Sequence, residues 1–515
     1  MAENINPQSS SPNTRGFFDR SPVTLPVLLV VIFILGLGIR LLDLTDAPLD
    51  FNPTRQLRAA VIARGLYYQW SPNADPDLRQ QAASLWNTIG DIEPSILEGL
   101  VAFTYRLVGA EHLWIARIYT SLFWVLGGGA LFALARRMFS VDGALVALAF
   151  YLFLPFGILA SRSFQPDPVM VMWVIFTAYA LHRWVNSRDW KWAIFTGVAA
   201  GMAALIKVVA AFLIAGMLIA VLLTKLGLRR SLKNRQVWAM GFIMVLPAFL
   251  YYVFGLGDYS SDYFTNWVIA LSPMLLDSAF YIRWLIRLDS LIPLSVLLLS
   301  LVGLVISSSN AKPYLLGLWL GYGLYGLSLP HQTITHDYYH IQLIPIVALS
   351  LAPVAELLLA AARRQPQLWQ AAFFALALLA VAYPLWTTRS ILLGKDYRAD
   401  AAYWQQVGGA IPRNGKIIAL TQQYGHLLTY YGWKKVNLWP NTAEQKLAEL
   451  RGAAEKEAQD YFDERVAGQD YFLVTAFKQL NEQPNLSEIL YSQYAVYAEG
   501  SGYILFDLNA PINNP

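Results

Sequence analysis

Apolar residues in this chain gather into about eleven long runs separated by polar connections. A helix needs roughly 20 apolar residues to cross a hydrocarbon layer about 30 Å thick. The runs at 24–42, 112–134, 143–160, 169–181, 193–206, 208–224, 237–254, 291–306, 314–329, 341–361 and 368–386 approach that length, several of them falling short. They predict an α-helical multi-pass membrane protein with about eleven transmembrane helices. From residue 387 onward the pattern changes. Short β-rich runs at 416–420, 436–439, 470–475, 494–498 and 503–508 alternate with helical patterns, among them a charged helix over 443–460. That is the pattern of a small α/β domain.

Lys and Arg are retained on the cytoplasmic side of membrane proteins, so the connections give the orientation. Arg15 and Arg20 precede the first run, and Arg136 and Arg137 follow the second. Arg183, Arg188, Lys191, Lys225, Arg229, Arg230, Lys233, Arg235, Lys312, Arg363 and Arg364 fall on the same side if the helices simply alternate. The amino terminus is then cytoplasmic, and an odd number of crossings puts the carboxy-terminal domain outside. Residues 1–23 read as a cytoplasmic leader. The run that follows has no small-residue cleavage site at its end and reads as a retained anchor in the plasma (inner) membrane. Residues 24–386 form the membrane domain and 387–515 the external one.

Within the membrane domain, two external segments, 43–111 and 255–289, are too long for simple connectors. Helical spacing over 54–70 and 94–108 sets Leu57, Ala60, Val61, Ile62 and Leu66 against Arg55, Arg58 and Arg64, the pattern of helices lying along the interface. The second segment carries Tyr259, Tyr263, Phe264, Trp267, Tyr281 and Trp284, the aromatic content expected at headgroup level.

Composition agrees: 56% hydrophobic and 14% charged residues, with a mean hydropathy of +0.41, lie well outside soluble-domain usage. The absence of cysteine excludes disulfides, thiolate metal sites and thiol redox chemistry. The net charge of +4 mostly reflects the cytoplasmic connections and gives no sign of nucleic-acid binding.

An ionisable group at membrane depth costs about 2.5–3.5 kcal/mol, so each needs a partner or a task. By the alternation above, Asp50, Arg55, Arg58, Arg162, Asp167, Lys207, His331, His336, Asp337, Tyr338, Tyr339 and His340 gather at the outer ends of helices. These groups suit transfer of a sugar from a polyprenyl phosphate. One carboxylate takes the proton of an acceptor hydroxyl as that oxygen attacks the anomeric carbon. No general acid is needed, because Arg, Lys and Tyr donors meet the charge of the leaving phosphate.

The residues also resemble a known family. Asp50-Phe51-Asn52-Pro53-Thr54-Arg55-Gln56, Arg162-Ser163-Phe164-Gln165-Pro166-Asp167, Lys207 within Ala204-Leu205-Ile206-Lys207, and His336-Asp337-Tyr338-Tyr339 leading to Pro345 look like the GT-C glycosyltransferases. The likeness is to their protein mannosyltransferase and aminoarabinose-transferase branch (family 39-like) and covers roughly residues 24–362. It implies an external active site, inversion, and a polyprenyl-phosphate-linked sugar as donor in place of a nucleotide sugar. The acceptor is a protein, lipid or glycan. The family's acid in the first external loop maps to Asp50, although Phe51 stands where a second acid is often found. Aligned on Arg55 instead, Asn52 falls at that acid's usual offset, which leaves the base open. Asp167 matches the family's second acid. Lys207, Tyr338 and Tyr339 resemble its lipid-phosphate contacts, and Arg55, Arg162 and His336 complete the donor-phosphate set.

Other readings stand beside these. Asp50 and Asp167 also fit helix starts, and Lys207 fits a structural ion pair. No cofactor is implied. His336 and His340, four residues apart with Asp337 between them, are compatible with half of a divalent metal site. A transporter or flippase for a lipid-linked saccharide is the rival function. Transporters place their polar sites near the midplane between repeats, whereas these polar groups sit at one face and no repeat is seen.

Overall fold

The computed structural model describes residues 16–18, 23–256, 262–454 and 456–512. Arg15 and Arg20, most of the leader, and Tyr259 lie outside the described residues. Each of the eleven apolar runs falls on a helix. The first half of the chain forms α1 (Thr24–Arg40), α2 (Pro53–Trp70), α3 (Pro76–Ile89), α4 (Ile96–Val108), α5 (Trp114–Met138), α6 (Val141–Phe153), α7 (Pro155–Ser161), α8 (Asp167–Ser187), α9 (Trp190–Ile206), α10 (Ala210–Lys225), α11 (Leu228–Lys233) and α12 (Arg235–Phe249). Apolar helices follow at Leu294–Ile306, Lys312–Ser328, Leu343–Arg363 and Gln367–Leu393.

Among the described residues, five helices are long and apolar enough to cross a membrane alone, or seven if each of two bent pairs counts as one span; four shorter apolar helices accompany them. One bent pair is α6 and α7, which meet at 59°. Pro155 causes this, since its ring and missing N–H cannot continue α6. Helices pack through small residues: a Cβ on Gly317 would lie 2.5 Å from the Gly216 carbonyl oxygen, so glycine lets the Lys312–Ser328 helix approach α10. By contrast Gln367–Leu393 fully buries only Thr388 and Leu392, with Val381 and Leu385 half-buried against the core, and most of its other side chains are exposed.

The first external segment holds the two expected helices, α2 and α4, and a third, α3, that its weak apolar pattern did not announce. Pro76 occupies its first turn, and the Asp75 carboxylate accepts the Asp77 N–H.

All five expected strands are present as β1 (Ile417–Leu420), β2 (Asn437–Leu438), β3 (Tyr471–Val474), β4 (Tyr494–Gly500) and β5 (Tyr503–Pro511), in the order β2-β1-β3-β5-β4. β1 runs parallel to β2 and β3, and β5 antiparallel to β3 and β4. Alternate residues serve two cores: Ile418, Leu420, Phe472 and Val474 pack with Phe462 and Leu490, while Ile417, Ala419 and Leu473 join the cluster that continues into the helical part. The charged helix expected over 443–460 is two helices, Thr442–Leu450 and Ala458–Val466. Gly452, with φ of 88°, turns the chain out of the first.

Candidate active site

Two local breaks in regular structure build the site. α8 begins at Asp167 between Pro166 and Pro168, where prolines are tolerated because first-turn N–H groups have no helical partner. α9 stops at Ile206, and Lys207 is extended before α10 begins. Its ammonium meets the Asp167 carboxylate, Nζ to Oδ1 2.7 Å, with both side chains buried. The second oxygen, Oδ2, is buried with no partner among the described residues. Nζ also lies 4.9 and 4.8 Å from the ring centroids of Tyr338 and Tyr339.

Arg55, in the first turn of α2, donates to both oxygens of Glu93 at 2.8 and 2.9 Å, with its guanidinium 5.8 Å from the Tyr338 ring. The His336 ring lies 5.5 Å from that of Tyr338 and 5.6 Å from that of Tyr339. Asn52 takes a left-handed conformation (φ 44°) just before α2, and its amide donates to Asp337 Oδ1 at 2.7 Å. This bond ties the first external segment to the 336–340 turn. Burial alone would raise the pKa of Glu93, but Arg55, Lys207 and Arg58 outweigh it and hold the carboxyl below its ordinary range. Burial, helped by His331, Lys207 and Arg55, drops His336 to about 4, so its ring is neutral at physiological pH.

The structure therefore brings together six of the eight predicted residues: Asp167, Lys207, Arg55, His336, Tyr338 and Tyr339. Asp50 and Arg162 form ion pairs and hydrogen bonds with none of these six. Asp50 pairs with Arg117 at 3.1 Å and Arg162 at 3.7 Å and lines a cavity of about 310 Å³ with Asp43, Asp46, Lys395 and Tyr397. Arg117 also donates to the carbonyls of Asp43, Leu44, Asp46 and Ala47. Arg162 donates to those of Leu42 and Asp43. Gln56, fully buried, donates to the Phe51 carbonyl at 2.6 Å and accepts the Phe164 N–H at 2.9 Å, locking the two loops together.

Sequence reasoning missed Glu93 and Arg117. Arg117 lies at the outer end of an apolar run, the same signal that marked Arg162. Glu93 stands just before Pro94 in a polar stretch where nothing separates it from a solvated acid. Among the described residues no three His, Asp or Glu side chains converge as metal ligands. Both ring nitrogens of His340 are engaged, Nδ1 with the Tyr322 hydroxyl at 2.6 Å and Nε2 with the Thr333 carbonyl at 2.8 Å.

A multi-pass helical bundle whose connecting loops gather cations, acids and tyrosines beside the helix ends defines a class, and the fold is that of the GT-C glycosyltransferases. Residues 94–253 match the family model described as dolichyl-phosphate-mannose-protein mannosyltransferase. The chain is similar in structure to ArnT from Cupriavidus metallidurans bound to undecaprenyl phosphate, at a TM-score of 0.53 and 16% identity, covering 94% of this chain and 97% of that one. It is also similar to the Archaeoglobus fulgidus oligosaccharyltransferase in complex with Zn and sulfate, at a TM-score of 0.52 and 12% identity over 94% of this chain and 74% of that one. The same enzyme tethered to an acceptor peptide matches at 0.53 and 13%, over 95% and 75%. No curated protein matches the sequence.

Proposed function

We propose that this chain is a membrane glycosyltransferase that moves a sugar, with inversion, from a polyprenyl phosphate to an acceptor hydroxyl on the extracytoplasmic side. The observation that carries the reading is the buried Lys207–Asp167 pair, whose ammonium keeps open valence beside the tyrosine pair and Arg55. The donor phosphate sits against Lys207 and Arg55, with Tyr338 and Tyr339 as its aromatic wall and His336 as a neutral neighbour. The similar structures support this: that of ArnT holds undecaprenyl phosphate, and one of the oligosaccharyltransferase carries a tethered acceptor peptide.

The acceptor oxygen bonds to the anomeric carbon as the bond from that carbon to the phosphate oxygen breaks. The electron pair stays on the phosphate, where the two cations stabilise it, and the hydroxyl proton passes to a carboxylate. Asp167 Oδ2, buried and unpartnered, is the oxygen best placed to accept it. Asp50 is committed to Arg117 and Arg162, so its charge holds the first loop to α5 and to the turn before α8.

The test uses the purified full-length protein and undecaprenyl phosphate, the leaving group common to such donors. The wild type is expected to bind it saturably, and Lys207→Met and Arg55→Gln to bind it weakly. Equal binding by all three overturns the donor site. Movement of a lipid-linked saccharide across vesicle membranes with the sugar still attached overturns transfer in favour of transport. In this cysteine-free chain, Ser140→Cys is expected to resist an impermeant thiol reagent in intact cells and Ser501→Cys to react; the reverse pattern overturns the external site.

A further inference from the structure

Beyond the donor site, α3 and the external domain enclose a groove that nothing in the transfer reaction uses. Gln81 and Ser84, on one face of α3, form one wall, and the opposite wall carries Arg413, Trp433, Lys434 and Lys435. Its volume is about 520 Å³, inside the roughly 300–1,000 Å³ usual for small-molecule sites. An adjoining hollow shares Ser84 and Lys435 and carries more hydroxyl and amide side chains from α3.

Three observations bear on its occupant. First, the walls are amide, hydroxyl and cationic, with few apolar side chains, which suits neither an acyl chain nor the side-chain pockets of a peptide. Second, the charge is one-sided: Arg413, Lys416, Lys434 and Lys435 face one lining carboxylate, Asp77, which Arg413 meets at 3.4 Å with both side chains well exposed. The Lys434 ammonium is pinned to the carbonyls of Ile411 at 2.8 Å and Pro412 at 3.1 Å. Burial and the nearby Arg413 charge lower its pKa. Third, Trp433 is kept at a φ of 53°, in the left-handed region that a bulky residue seldom adopts. Its carbonyl accepts from Gln81 Nε2 at 2.9 Å, which clips the two walls together. Its ring lies with the Arg64 guanidinium carbon 4.2 Å from the centroid and meets Tyr68 edge-on, which holds it in place.

We propose that this groove binds an anionic saccharide, a glycan carrying carboxylate or phosphate groups whose hydroxyls meet the amide walls while its charges meet the cations. Resting on the glycosyltransferase reading, such a glycan is the acceptor or its product. Arg64, under Trp433, is nine residues beyond Arg55 on α2, about 14 Å at 1.5 Å per residue, so a chain of a few sugars spans from the groove toward the donor cations.

The test measures binding to the full-length protein in detergent, with no donor present. An oligogalacturonate hexamer is expected to bind at least about tenfold more tightly than neutral maltohexaose, and to weaken with salt. It is also expected to bind more tightly than hexaglutamate of equal charge. Arg413→Gln/Lys435→Gln is expected to lose about tenfold for the uronate while binding undecaprenyl phosphate as the wild type does. Equal binding of charged and neutral hexamers, or no effect of the double variant, overturns the site, and a preference for hexaglutamate makes it a groove for acidic peptides instead. Because neither donor nor turnover enters, these outcomes are separable from failure of the transfer reading.

Discussion

Two largely buried charge clusters sit near helix ends, and they differ in what they leave unsatisfied. Around Asp50, the guanidiniums of Arg117 and Arg162 meet backbone carbonyls and the one carboxylate they share, and among the described residues Arg162 Nε alone of their nitrogens is buried without a partner. Around Asp167, the ammonium of Lys207 has one oxygen partner and two aromatic faces, and a carboxylate oxygen has none. A buried polar atom without a partner costs roughly 1–3 kcal/mol. The Asp167 pair leaves a charge-bearing oxygen open beside an ammonium, whereas the Asp50 cluster leaves one guanidinium nitrogen open and spends its other donors on holding loops. On the function proposed above, this difference assigns the donor to the Asp167 cluster and a scaffolding role to the Asp50 cluster.

The largest effect expected is at the Asp167 cluster. Lys207→Met keeps the apolar stem and loses the ammonium, so transfer should fall by two to three decades, about 2–4 kcal/mol. Melting temperature should fall as well, because Asp167 is left as a buried acid without its counter-ion. Adding Asp167→Asn is expected to restore the melting temperature and not the transfer. Transfer at the wild-type rate across donor concentrations would make this pair a scaffold like the other.

Asp50→Asn is the matching experiment on the other cluster. Breaking the ion pairs with Arg117 and Arg162 should cost stability, on the order of 3 kcal/mol, while transfer stays within about tenfold of wild type, one decade or 1.4 kcal/mol. A hundredfold loss of transfer at unchanged melting temperature would reverse the comparison and make Asp50 the base.

The sequence carried much of this, because membrane helices and strands declare themselves by period and length. Every apolar run became a helix, and even the break between α9 and α10 was legible, as a lysine standing between two apolar stretches. Less legible was the grouping of side chains. Asp50, Asp167, Arg55 and Arg162 look alike as acids and bases near helix ends, yet which acid meets which base depends on loops crossing over one another, as when Gln56 binds the turn before α8. Glu93 became part of the site through Arg55, thirty-eight residues away in sequence. The break at Gly452 was missed because charged residues at helical spacing continue on both sides of it.

A third acid sharpens the contrast through pH. Glu98, in α4, is buried, and that burial pushes its pKa up to about 7 against an ordinary 4.5. The folded chain therefore binds this proton more tightly than the unfolded one. Its contribution is fully present below about pH 4.5 and lost as pH rises through 7. Glu98→Gln should raise the melting temperature at pH 8, by up to about 3 kcal/mol of stability, and change little at pH 4. Glu93 has the opposite sign: its depressed pKa gives stability that is present above 4.5 and lost as pH falls below it. A loss of stability on Glu98→Gln at pH 8 would mean that the acid is charged and paired in the folded state.

The smallest effect expected concerns how the external domain is joined to the two clusters. It touches the Asp50 side where the Tyr397 N–H donates to Asp46 at 2.9 Å, and the Asp167 side where the Thr54 hydroxyl donates to Gln423 at 2.7 Å. Thr54 precedes Arg55, and Gln423 and Tyr424 both hold positive φ, at 52° and 55°, so this joint is strained and lies beside the donor cations. Thr54→Val removes one neutral hydrogen bond, worth about 1 kcal/mol or less. Its size is close to isosteric, so packing should survive. Amide exchange should then quicken over residues 421–426 and stay unchanged at 395–400, with transfer reduced only a few-fold. If both stretches quicken together, the domain is docked as one cooperative unit, and the two clusters are coupled through it.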